Sequence, residues 1–135
     1  MPVVLESAPR VPVRDRLQAM LAVAVARLLI TRPPARLCRW LTLASRGAAA
    51  ASEAEARRAR RAVVAVSRRC AGQHCLQRSV AVALFARIGG SWPDWCSGVR
   101  TEPFRGHAWV EVAGRPVDEP EDGHLYRTVL AVRAR

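Results

Sequence analysis

The chain has no lysine: all 22 basic residues are arginine. Together with heavy alanine and valine usage, this reads as the codon bias of a GC-rich genome more than as a functional choice. No apolar run is long enough to cross a bilayer. The longest, residues 17–30, covers 14 residues and contains Gln18 and Arg27, whereas a span needs about 20; it suits a buried helix. A secretory signal is also missing, since residues 1–12 have neither a basic head nor an apolar stretch, so a cytoplasmic protein is expected. There is no phosphate-binding glycine loop, no internal repeat and no low-complexity tract beyond Ala48 to Ala51. Aromatics are 5% of the chain and are not interleaved with its arginines, so nucleic acid is not an expected partner.

Cysteine is sparse too: Cys38, Cys70, Cys75 and Cys96. A disulfide framework does not fit a cytoplasmic chain with its own core. A Cys3His zinc set drawn from Cys70, His74, Cys75 and Cys96 is the sharper alternative, but its spacing matches no common zinc module, so no metal and no cofactor is expected. Cys38, Cys70 and Cys96 read as packed structural thiols.

What is present suits one domain over residues 1–135, half of whose residues are hydrophobic. The net charge of +11 is uneven. Residues 1–75 carry 14 Arg against four acids, and the rest carry eight against seven. A basic first half is a solvated surface or a face for an acidic partner. Helical spacing predicts a first helix from Asp15 to Thr31 with an apolar stripe of Leu17, Met20, Leu21, Ala24 and Leu28. A second runs from Pro34 to Ser45, with Leu37, Trp40, Leu41 and Ala44 on one side. Ser52 and Glu55 form a capping box that opens a third, reaching Arg69. A fourth runs from Cys75 to Ile88, stopped by Gly89-Gly90. Strands are expected over Trp95 to Arg100, in a hairpin from His107 onward, and over Tyr126 to Val132. This order gives an α+β domain: a helical part over 1–70, then a helix and small antiparallel sheet over 71–135.

The chemistry concentrates on Cys75, His107 and Asp118. A thiol at the tip of a helix feels the positive end of the dipole and the free N–H groups, which favour thiolate. Along a strand, His107, Trp109 and Glu111 share a face. An even-length turn at Ala113-Gly114 pairs Val112 with Arg115 and Trp109 with Asp118, placing Asp118 on the face of His107. An odd-length turn places Glu119 there. Either carboxylate can hold the imidazole tautomer. For the oxyanion, the backbone N–H of Cys75 and the side chain of Gln73 are candidate donors.

These residues resemble a known family. Cys75-Leu76-Gln77-Arg78-Ser79, Gly98-Val99-Arg100, Pro103-Phe104, His107-Ala108-Trp109-Val110-Glu111 and Gly114-Arg115-Pro116-Val117 are similar to the leader peptidases of lasso peptide biosynthesis. Those have a transglutaminase-like, papain-type cysteine protease domain. The resemblance covers residues 75–121. It implies a Cys-His-Asp triad at Cys75, His107 and Asp118 or its neighbour Glu119, and substrate contacts at Arg100 and Phe104; Trp109, beside His107 on its strand face, is either core or a wall of the substrate site. It further implies cleavage of a ribosomally made lasso peptide precursor. About seventy residues precede Cys75 and read as helices, so the chain resembles the stand-alone protease. Its implied partners are the precursor's leader, a separate leader-recognition protein and a lasso cyclase. Two other readings stand beside this one: a different transglutaminase-like hydrolase or acyltransferase, and a non-catalytic basic adaptor.

Overall fold

The computed structural model describes residues 11–72, 74–101, 104–118 and 126–134. Helices fill the first part and follow the punctuation of the sequence. α1 (Val13–Leu29) begins after Pro12 and ends ahead of Pro33. α2 (Pro34–Ser45) takes Pro34 in its first turn, where a missing N–H costs nothing. The capping box of α3 (Glu53–Val66) forms as expected: Glu55 N–H donates to Ser52 Oγ at 3.1 Å, and Ser52 N–H donates to Glu55 Oε1 at 3.0 Å. α3 stops short of Arg69, because Ser67 leaves the helix and its Oγ accepts from the Cys70 N–H at 3.2 Å. That contact opens the single turn α4 (Arg68–Ala71). α5 (Cys75–Ile88) follows, and Gly90, with φ 97°, turns the chain out of it.

The second part is a sheet. β1 (Ala49–Ala50) and β2 (Ser91–Trp92) make a two-residue parallel pair. β3 (Asp94–Arg100), β4 (Arg105–Val112), β5 (Arg115–Pro116) and β6 (Arg127–Val132) form an antiparallel sheet of order β5-β4-β3-β6. This is the expected α+β class. The hairpin turn is the even one: Val112 pairs with Arg115, and Ala113 and Gly114 take φ of 53° and 77°, the type I′ pattern that matches strand twist.

α5 runs through the middle, packed by α1 and α3 and by β4. Val80, Ala81, Val82 and Ala83 are buried on successive positions, so this helix is apolar all round. From the sheet side, Trp95 Nε1 donates to Ser79 Oγ at 3.1 Å, tying β3 to α5.

α1 sits the other way round from the sequence expectation. Its core face is the alanine face of Ala19, Ala22 and Ala26, each at most 1% exposed. The larger stripe lies outside: Leu17 is 63% exposed, Met20 and Leu21 58%, Leu28 70%. Small residues let α1 lie close against α5, and that close packing decides which face is covered. Trp40 on α2, placed inward by the sequence pattern, is likewise exposed, while Leu37 and Leu41 are buried.

Asp15 holds α1 to α3. It is 4% exposed and accepts from Arg58 Nη2 at 2.6 Å and Nε at 2.9 Å. Those bonds, against the cost of burial, hold its carboxyl below the usual range. A depressed folded-state pKa gives stability above the unfolded value of about 3.9 and loses it as pH falls through the folded value. Asp15→Asn is expected to cost on the order of 2 kcal/mol at neutral pH, the value of a charge-assisted pair. Urea unfolding should show this deficit at pH 7 and have it vanish in acid, below the titration of the native carboxyl.

Candidate active site

Two elements, α5 and β4, meet at Cys75. It is the first residue of α5, after the exposed His74, whose side chain makes no cap bond. Unsatisfied N–H groups therefore surround its base. β4 brings His107 and the backbone N–H of Ala108 to the sulfur. Burial pushes the half-buried thiol up, but hydrogen bonds from His107 and the Ala108 N–H, with the charges of His107 and Arg78, outweigh it and bring the pKa below the ordinary thiol value. Arg78, one turn along α5, also donates from Nη1 to the carbonyls of Cys70 (3.1 Å) and Gly72 (3.0 Å). It thereby fixes the chain leading into the nucleophile.

The imidazole has an aromatic seat. Its ring stacks on Trp109 at 5.6 Å between centroids and 15° between planes, and Tyr126 leans against it at 5.1 Å. Trp109 is 5% exposed and donates from Nε1 to Glu111 Oε2 at 3.1 Å. Of the three residues expected at the substrate, Trp109 lies beneath His107. Arg100, at the end of β3, lays its guanidinium 5.9 Å from the Tyr126 ring centre. Phe104, 73% exposed, precedes β4.

Asp118 does not complete the ladder opposite Trp109. β5 stops at Pro116, the Val117 N–H still donates to the Val110 carbonyl at 3.0 Å, and Asp118 then turns to φ 52°. Its carboxylate reaches Arg57 Nε on α3 at 3.5 Å. Glu119 and Gln73 lie outside the described residues.

The other thiols stand apart from this site. Cys38 is half-buried and burial raises its pKa. Cys70 is fully buried in the core. Cys96, fully buried, is pushed up to about 12 by burial first and by the Glu111 charge second. No three of the described His, Cys, Asp and Glu side chains form a group able to hold a metal ion, so Cys70, His74, Cys75 and Cys96 do not assemble the zinc set the sequence allowed. No described helix is long and apolar enough to cross a membrane.

This arrangement predicts selective chemistry. Iodoacetamide at neutral pH should label Cys75 first and leave Cys96 untouched until the protein unfolds. The pH midpoint for Cys75 labelling should lie below that of an ordinary thiol and rise in His107→Ala, as peptide mapping at each pH will show.

Sequence reasoning missed Tyr126, whose contact with His107 is set by the order of the sheet, and Arg78, which the i, i+3 spacing from Cys75 on α5 could have pointed to. A family model for the transglutaminase-like superfamily matches residues 19–132. No curated protein and no solved structure matches significantly.

Proposed function

We propose, since the chain belongs to the transglutaminase-like superfamily, that it is a cysteine endopeptidase, and that it removes the leader from a ribosomally made lasso peptide precursor. The observation that carries the first part is the His107 hydrogen bond to a Cys75 thiol of lowered pKa at a helix tip. The second part rests on the sequence resemblance over residues 75–121.

In this reaction His107 takes the Cys75 proton and the thiolate attacks the scissile carbonyl. The developing oxyanion is met by backbone N–H groups at the start of α5, beginning with that of Cys75. The C–N bond breaks, His107 gives its proton to the leaving amine, and the leader remains on sulfur as a thioester. Water, deprotonated by His107, then releases the leader as a free acid and regenerates the thiol. Asp118 or Glu119 orients the imidazole. The freed core amine is the group a separate cyclase consumes.

The +11 net charge and the arginine-rich first half suit a precursor delivered by an acidic leader or by a separate leader-recognition protein. The test is to combine protein, recognition protein and precursor and read the products by mass spectrometry. One cut at the leader–core boundary is expected; an intact precursor overturns the reading. Adding a primary amine separates hydrolysis from acyl transfer, since transfer marks the leader's new C-terminus with the amine's mass. The same nucleophile and base serve both reactions.

A further inference from the structure

The outward stripe of α1 borders a groove of about 600 Å³. One wall is Met20, Ala24 and Leu28 of α1; the other is Val66 and Ser67; Gln77 of α5 lines it as well. Exposed leucines and a methionine at helical spacing on one face are an apolar patch of the kind that marks interaction sites. Two further observations say what covers it. Gln77 is 2% exposed, and its Oε1 is buried with no hydrogen-bond partner among the described residues; a buried acceptor left unmet is destabilising. The rim is of one sign. Arg14, Arg16, Arg27 and Arg32 are exposed on or beside α1, and the helix's single acid, Asp15, is buried against Arg58.

We infer that this face docks an acidic amphipathic helix of a partner protein. Its apolar stripe would lie on Leu17, Met20, Leu21 and Leu28, its carboxylates would meet the arginine rim, and a polar side chain would donate to Gln77 Oε1. A second copy is disfavoured, because it would set two arginine rims and two charges of +11 against each other. A lipid surface tolerates an arginine-flanked apolar face, but its acyl chains offer Gln77 no donor. Gln77 is the third residue of α5, two places after Cys75, so an occupant sits beside the first turn of the nucleophile helix. The inference takes the partner's purpose, presenting substrate, from the peptidase reading; the binding itself does not depend on it.

The probe is a synthetic fluorescein-labelled helix of about 18 residues, matched in length to α1 at ~1.5 Å per residue, with a leucine stripe, one central Asn and glutamates on both flanks. Anisotropy should show saturable binding that weakens with salt and falls about tenfold or more in Leu21→Glu/Leu28→Glu. Both leucines are exposed, so the fold is spared, and unchanged labelling of Cys75 verifies that. Cys75→Ala should bind as wild type does. Hence a dead peptidase with intact binding sinks the catalytic reading alone, and cleavage without helix binding sinks this one alone. No binding, equal binding of the scrambled or arginine-flanked peptide, capture by phosphatidylglycerol vesicles in place of the peptide, or a dimer dispersed by the double variant each overturns the inference.

Discussion

Cys75→Ala is expected to leave the precursor whole under conditions where wild type cuts it completely, a loss on the order of 10⁴–10⁶ in rate. Cys75→Ser should do little better. A hydroxyl begins far above the range in which one imidazole and one backbone N–H can ionise it, whereas the thiol starts near that range and is already drawn down. His107→Ala removes the strongest contribution that lowers the thiol together with the proton carrier to the leaving amine, so about 10²–10⁴ is expected. The residual rate of that variant should rise with pH, because ionisation then falls to the solvent. Single-turnover cleavage followed by mass spectrometry reads all three variants, with thermal unfolding midpoints alongside. Each substitution touches a half-buried end of an element, so midpoints within a few degrees of wild type are expected. Full cutting by Cys75→Ala would remove the thiol from the mechanism.

The elements around that thiol were legible wherever punctuation is local. Gly89-Gly90 ends α5, Ser52 and Glu55 open α3, and Ala113-Gly114 sets a two-residue turn. Each signal depends on residues within one turn of it, so the sequence carries it whole. Orientation was less legible. Periodicity shows that α1 has a large-residue stripe and an alanine face, but covering the alanine face depends on how closely α5 approaches. The Cys75–His107 meeting was readable because both residues stand near the ends of their elements. The placing of Asp118 was less legible: it leaves the hairpin at a positive φ and its carboxylate reaches Arg57, a residue 61 positions upstream. Sheet order likewise hides Tyr126, which reaches His107 from just ahead of β6, on the far side of β3.

Gly98→Val is expected to be the most damaging single change outside Cys75 and His107. Gly98 pairs with His107 on β4 and with Thr128 on β6, at the point where the β3–β6 register shifts. A Cβ there would run into the Arg127 carbonyl and would stand 2.9 Å from Trp109 Cη2. A strand glycine commonly marks such a close approach of backbone. The carbonyl belongs to the β6 ladder and moves only with its strand; the indole stacks on the imidazole and turns only by releasing it. Strain therefore either opens the sheet edge or tilts His107 away from Cys75. Gly98→Ala should cost about 1–3 kcal/mol as overpacking, and valine more. Cleavage should fall by more than the loss of folded protein explains, since a tilted imidazole no longer bonds the thiol. Gly98→Ala/Trp109→Phe tests the route: phenylalanine lacks the outer ring carbon, so part of the activity should return while the stability deficit from the carbonyl persists. Unfolding midpoints and single-turnover rates together decide it. A Gly98→Val protein with wild-type values of both would show that β6 yields freely and that the aromatic seat of His107 does not depend on this glycine.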